Sequence, residues 1–248
     1  MDISIVIPVF EESTKIGVDI GAASLFLINN SLTGEIIVVD DGSRDKTAEI
    51  AKNTKIPPGI RLDVIRYRKN MGKGYAIRTG MKSTSGDIVM FIDSGYCVPF
   101  DHVLRGLELL KKDRCDIAHG SRYLPGSRIV KPHKWTRQIS SYIFRKFLTI
   151  FMKIPSELTD TQCGLKMYKG DIGRSLYGQC ITDGFMLDME VILRAGLAGY
   201  SIKEFAIDWT ADADSRLSLS RVPVNMIREL LRIKKVMAKE KKQSKGVY

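Results

Sequence analysis

Cysteine is scarce in this chain and never paired: Cys97, Cys115, Cys163 and Cys180 lie far apart, with no C-x-x-C and no histidine cluster beside them. That spacing argues against a zinc module. A disulfide framework is unnecessary at 248 residues, where a fold buries about three quarters of its unfolded surface. Reduced thiols in a cytoplasmic protein are the expectation. His102, His119 and His133 also lack metal-ligand spacing. Long apolar runs are missing too. The longest candidate, Ile139 to Ile154, is broken by Arg145, Lys146 and Lys153, so nothing approaches the roughly 18 apolar residues of a membrane span. Met1-Asp2-Ile3-Ser4 leads straight into a strand without the basic start of a secretion leader. Repeats, a linker between domains and any nucleic-acid-binding motif are lacking as well. What is left is a soluble or peripheral protein.

Its charge is unevenly spread. Of the net +11, the stretch from Arg221 to Tyr248 holds +7, nine Lys or Arg against two Glu, which leaves +4 for the rest. Such a tail reads either as a solvated helix with a frayed end or as a segment that meets an anionic partner.

Short apolar runs alternate with helical patterns. Ile3 to Val9 and Glu35 to Val39 are rich in β-branched residues and read as buried parallel strands. Ser13 to Asn29 carries helical spacing between them, and Lys46 to Asn53 opens a second helix with Ser43 or Asp45 as cap. Leu62 to Tyr67, Lys73 to Ser83 and Ile88 to Ile92 continue as strand, helix and strand. This rhythm predicts an α/β, doubly wound, mostly parallel sheet with helices on both faces and right-handed crossovers. Ligands then bind beyond the carboxyl ends of the strands, where Pro8 to Glu12, Asp40 to Ser43 and Asp93 to Gly95 fall. Further on, the pattern predicts a helix over Val103 to Lys111, a strand around Asp116 to His119 and a basic loop from Arg122 to Lys134. An aromatic-rich amphipathic segment follows at Ile139 to Met152, then a helix at Leu187 to Leu197, a strand at Ile202 to Trp209 and a last helix from about Pro223 to Lys242. Residues 1–217 read as one domain and 218–248 as a basic C-terminal helix and tail.

Several polar clusters carry possible chemistry. Adjacent Asp40 and Asp41 can accept hydrogen bonds from a nucleoside, or cap a turn with Gly42 and Ser43. In Asn70-Met71-Gly72-Lys73-Gly74, a helix start, glycines and a lysine suit an anion, although a P-loop is excluded because the upstream glycine and the Ser or Thr are missing. Asp160-Thr161-Gln162-Cys163-Gly164-Leu165-Lys166 is polar with little secondary-structure propensity.

Together with Phe91-Ile92-Asp93-Ser94-Gly95 and Gly120-Ser121-Arg122, in this order, these motifs resemble glycosyltransferase family 2 of the GT-A fold, which is Rossmann-like. Within it they resemble the enzymes that load a hexose onto a polyprenyl or dolichyl phosphate, the D-T-Q-C-G form being more similar to the glucosyl than to the mannosyl enzymes. The resemblance covers roughly residues 1–217. It implies that Pro8, Phe10 and Glu12 line a nucleoside pocket, that Asp40 and Asp41 contact base or ribose, and that Lys73 contacts the nucleotide. It places Arg216, in Ser215-Arg216-Leu217 after Trp209, over the pyrophosphate. Asp93 stands where the family has its D-x-D metal motif for Mg²⁺ or Mn²⁺, but here Gly95 replaces the second acid. Ser121, Arg122 and Arg137 are implied acceptor-phosphate contacts. Asp93, Asp160, Gln162 and Arg122 are the implied catalytic set, with Asp160 orienting acceptor or sugar. Asp188 and Glu190 resemble the family's F-D-x-E, or else lie on an exposed helix face.

The implied activity is inverting transfer of a hexose from a UDP or GDP sugar to a polyprenyl phosphate at the inner face of the membrane. Peripheral docking on an anionic surface would use the aromatic segment and the basic tail. Two alternatives stand beside it: a hydroxyl acceptor that needs a base, and a degenerate nucleotide-sugar binding module.

Overall fold

The computed structural model describes residues 1–132, 135–211 and 223–245. In chain order the elements are β1 (Ile3–Val9), α1 (Ile16–Asn29), β2 (Gly34–Asp40), α2 (Thr47–Asn53), β3 (Arg61–Arg66) and α3 (Lys73–Lys82). Next come β4 (Ile88–Ile92), α4 (Val103–Lys111), β5 (Ile117–Ser121), β6 (Arg128–Lys131), α5 (Trp135–Met152) and β7 (Leu165–Lys169). The chain continues through α6 (Gly170–Gln179), α7 (Leu187–Leu197), β8 (Ile202–Ala206), β9 (Asp208–Thr210) and α8 (Pro223–Lys245).

Seven strands form one sheet in the order β3-β2-β1-β4-β7-β5-β8. All its paired strands are parallel except β7, which runs antiparallel to both β4 and β5. The doubly wound, mostly parallel architecture expected from the alternating pattern is therefore present. Both faces of β1 and β2 are buried, which is why those strands are apolar at almost every position instead of at alternate ones. Side chains of a strand alternate between faces. Ile3, Ile5, Ile7 and Val9 meet α1, α2 and α4 on one side, while Val6 meets α3 on the other, in a core that α6 and α7 continue.

A third apolar cluster joins α5, α7 and α8 through Leu148, Met152, Met189, Ile192, Leu230, Ile233 and Met237. The helical part of the basic tail thus packs into the body of the protein. The boundary expected at residue 217 lies outside the described residues.

Expectations in both halves of the chain are corrected. The strand expected from Ile202 to Trp209 is two: β8 in the main sheet, and β9, which pairs with β6 in a separate ribbon. The basic loop from Arg122 to Lys134 contains β6. Neither β7 nor α6 was anticipated. Lys166 interrupts the apolar pattern of β7 yet is buried there, so composition hid a central strand. The first helix begins at Ile16, later than Ser13, because the preceding residues form turns that hold the loop after β1.

Candidate active site

Parallel strands bring their carboxyl ends to one edge, and the antiparallel β7 brings its amino end to the same edge. For that reason Asp40, Asp93 and Ser121, at or just after the ends of β2, β4 and β5, share an edge with Asp160-Thr161-Gln162-Cys163-Gly164, just before β7. A cleft of about 740 Å³ opens along part of it, lined by Phe10, Glu11, Ser43, Arg44, Arg66, Arg68 and Asn70 among others.

Asp40, the last residue of β2, anchors Ser43 and Arg66 in this cleft's wall, and Asp41 after it holds the start of α3. The Asp40 side chain is fully buried; the N–H of Ser43 donates to its Oδ1 at 2.9 Å, and Arg66 Nε lies 3.2 Å from its Oδ2. The N–H groups of Met71 and Gly72 donate to Asp41 at 2.7 and 2.9 Å. Burial pushes the Asp41 carboxyl up, and those two N–H groups oppose the shift. Pro8 is buried inside β1, Phe10 lines the cleft, and Glu12 pairs with Lys15 at 3.2 Å. At the second helix, Asp45 accepts the N–H of Thr47 at 3.0 Å, whereas Ser43 Oγ instead accepts the N–H of Glu11 at 2.7 Å.

Lys73 is the first residue of α3, and Gly72 before it has φ +105°, in a position where an added Cβ would run into the Asp183 carbonyl. A side chain at Gly72 would collide there. In this structure that glycine serves contact with protein backbone. From this mount Lys73 Nζ reaches Asp93 Oδ1 at 2.7 Å. Asp93 is held in turn: its N–H donates to the Gly164 carbonyl at 2.9 Å, and its carboxylate lies so close to Gly164 that an added Cβ would stand 2.1 Å from Oδ2. Two residues later Gly95 has φ +91°. Its N–H and that of Tyr96 donate to Asp19, at 2.9 Å each. Burial pushes the Asp19 carboxyl up to about 6.

At the other end, Asp160 is fully buried and bidentate to Arg122, Nε–Oδ2 2.6 Å and Nη2–Oδ1 2.8 Å. Burial alone would raise the Asp160 carboxyl, but Arg122 outweighs it and holds it below the usual carboxylate range. Glu204 fixes the loop by accepting the N–H groups of Thr159 and Asp160, both at 2.7 Å. The Arg122 guanidinium carbon also lies 5.1 Å from the Trp209 ring centre and 5.6 Å from that of Tyr123. Ser121 is buried, with its hydroxyl 2.7 Å from Thr159 Oγ1. The Gln162 N–H reaches Asp160 Oδ1 at 3.3 Å. The Arg137 side chain and Arg216 fall outside the described residues.

Asp188 and Glu190 do not form an exposed face. Asp188 meets the buried Lys166 at 2.9 Å, and Glu190 is fully buried against Arg194 and the N–H groups of Ile181 and Thr182. Sequence reasoning missed Asp19, Arg66, Arg68, Lys166 and Glu204. An Arg-x-Arg pair at the end of the third apolar run, and an aspartate within the apolar stripe of α1, were the available signs.

A divalent ion commonly takes one or two carboxylates plus substrate phosphates. Here Asp93 is alone and already neutralised by Lys73, and among the described residues no cluster of three His, Cys, Asp or Glu could hold a metal. The described residues thus offer one carboxylate, Asp93, toward the Mg²⁺ or Mn²⁺ expected there, and Lys73 is paired with it.

Comparison with known proteins agrees with the fold. The sequence model of Glycosyl transferase family 2 matches residues 4–172. Human dolichyl-phosphate beta-glucosyltransferase is 29% identical over 226 residues, covering 87% of this chain and 69% of the relative. The Dictyostelium discoideum enzyme of the same name is 26% identical, covering 94% of this chain and 73% of that one. Glycosyltransferase AglD of Haloferax volcanii is 27% identical over 94% of this chain, which spans only 37% of AglD. Among solved structures, glucosyl-3-phosphoglycerate synthase of Mycobacterium tuberculosis, in complex with Mn²⁺, UDP and glucosyl-3-phosphoglycerate, superposes with TM-score 0.67 at 20% identity. That alignment covers 95% of this chain and 79% of the synthase.

Proposed function

This chain belongs to glycosyl transferase family 2, and we propose that it moves glucose from UDP-glucose to a polyprenyl phosphate of the dolichyl type, with inversion at the anomeric carbon. The observation that carries this reading is Arg122. It is held bidentate by a buried aspartate at the edge that also bears Asp93 and Lys73. Asp160 takes the Nε hydrogen and one Nη2 hydrogen, which leaves Nη1 and the other Nη2 hydrogen for the oxygens of a phosphate. The acceptor's phosphate oxygen is already anionic near neutral pH, so it attacks the anomeric carbon without a general base. The bond from that carbon to the diphosphate breaks, and its electron pair leaves with UDP. The uridine side of the donor lies in the cleft between Phe10 and Arg68, with Asp40 and Asp41 shaping its wall. Lys73 and Asp93 face the diphosphate. Asp160 acts through Arg122, as a positioning residue.

Docking of the protein on an anionic membrane surface belongs to the same reading. The outer face of α5 exposes Trp135, Ile139, Tyr142, Ile143 and Ile150, and α8 exposes Ile227 and Leu231 beside several lysines and arginines. Apolar side chains ringed by cations suit the interface of a bilayer, and no described helix is long and apolar enough to cross one. A screen of radiolabelled UDP-glucose and GDP-mannose against a short polyprenyl phosphate tests the reaction. Label should enter the lipid phosphate from UDP-glucose. Transfer only to hydroxyl acceptors would overturn the assignment.

A further inference from the structure

We propose that the Lys73 ammonium is the resident cation of this site: it excludes a divalent ion from Asp93 and is itself the charge that meets the donor's diphosphate. This deepens the donor reading above and rests on it.

Four charged groups carry the inference. Lys73 lies 2.7 Å from Asp93, and Lys166 lies 2.9 Å from Asp188. Asp188 also acts on Lys73, so two acids and two ammonium groups share one small region and cancel. A site meant to draw a divalent ion carries surplus negative charge, and these four groups together carry none. The position two residues after Asp93, where a second carboxylate would complete a clamp, is Gly95, and its N–H is committed to Asp19. A metal at Asp93 would first have to displace Lys73. Nor is Lys73 placed loosely. Gly72 fits against Asp183, and Asp41 accepts the two N–H groups that precede Lys73, so the start of α3 has a defined position. A diphosphate entering beside Asp93 therefore meets a fixed positive charge without recruiting an ion.

The test uses the full chain, Lys73→Met and Asp93→Asn, with Mn²⁺ binding followed by electron paramagnetic resonance and UDP binding by calorimetry. Lys73→Met should bind Mn²⁺ at least tenfold more tightly than wild type, and adding Asp93→Asn should abolish the gain. In EDTA, UDP should bind Lys73→Met at least tenfold more weakly, while Asp93→Asn, which releases Lys73, should bind it as well as wild type or better. Unchanged Mn²⁺ affinity in Lys73→Met would overturn the exclusion. Equal UDP affinity for wild type and Lys73→Met in EDTA would overturn the diphosphate role. Wild-type protein that binds no UDP with or without Mn²⁺ would instead overturn the donor reading, and the Mn²⁺ comparison would still decide the exclusion.

Discussion

Replacing Asp160 with Asn keeps the shape of a buried side chain and removes its charge. In the wild type, Asp160 is fully buried and accepts from Arg122 Nε, Nη2 and the backbone N–H, at 2.6, 2.8 and 3.1 Å. Asn offers one acceptor oxygen in place of two and turns an NH₂ toward a guanidinium. Breaking a buried pair from one side typically costs about 3–5 kcal/mol, because a charge is left without its partner. The Arg122 side chain keeps 18% of its surface in solvent, so the lower end, about 3 kcal/mol, applies. For a chain of this length that lowers the melting temperature by roughly 6–12 °C. The sign with pH also follows. Asp160 has a depressed folded pKa, so its contribution is complete above the unfolded value of about 3.9 and is lost as pH falls through the folded one. The gap between wild type and variant in urea unfolding should therefore be full near neutral pH and narrow in acid. In the transferase assay, KM for the polyprenyl phosphate should rise at least tenfold, about 1.4 kcal/mol, while UDP affinity stays within about twofold. A stability loss below about 1 kcal/mol, or equal losses of acceptor and UDP affinity, would refute the view that Asp160 acts through Arg122.

Asp19, raised to about 6 by burial, gives the opposite slope: its ionisation costs stability as pH rises from its unfolded to its folded value. The stability of wild type minus Asp19→Asn should fall by about 2–3 kcal/mol between roughly pH 4 and pH 7, and a flat difference in urea titrations would show that Asp19 is not held as described. Gly164→Ala drives a methyl into the Asp93 carboxylate; overpacking should cost about 1–3 kcal/mol in urea unfolding, and an unchanged stability would show that Asp93 is not packed on Gly164 as described. Ile143→Glu with Ile150→Glu, at positions 61% and 77% exposed, should leave thermal stability alone yet abolish cosedimentation with vesicles containing phosphatidylserine; retained binding would move the membrane face elsewhere. Those changes are better probes than truncation after Val236, which would also remove Glu240 from Arg194, 2.9 Å away.

How much was legible in advance differs between the two halves of the chain. From β1 to β4 each strand is a buried apolar run of β-branched residues closed by a polar turn, and local pattern alone defines elements of that kind. The sheet's edge followed too, because parallel strands with right-handed crossovers can place their carboxyl ends in only one way. Asp40, Asp41, Lys73 and Asp93 were therefore found as candidates from the chain itself. Their partners were not. Nothing local says that Lys73 meets Asp93, that Asp19 reaches across to the Gly95 loop, or that Asp41 holds the start of α3. Each is a contact between residues distant in sequence, made by the way helices settle on the sheet. The clearest case is Asp160. In sequence it sits in a polar coil, open to a role at the acceptor; only the insertion of an antiparallel β7 between β4 and β5 carries it to the edge that bears Asp93, and only its burial gives it to Arg122. Strand pairing across the chain decided that, since a buried carboxylate without a cation would have opposed folding.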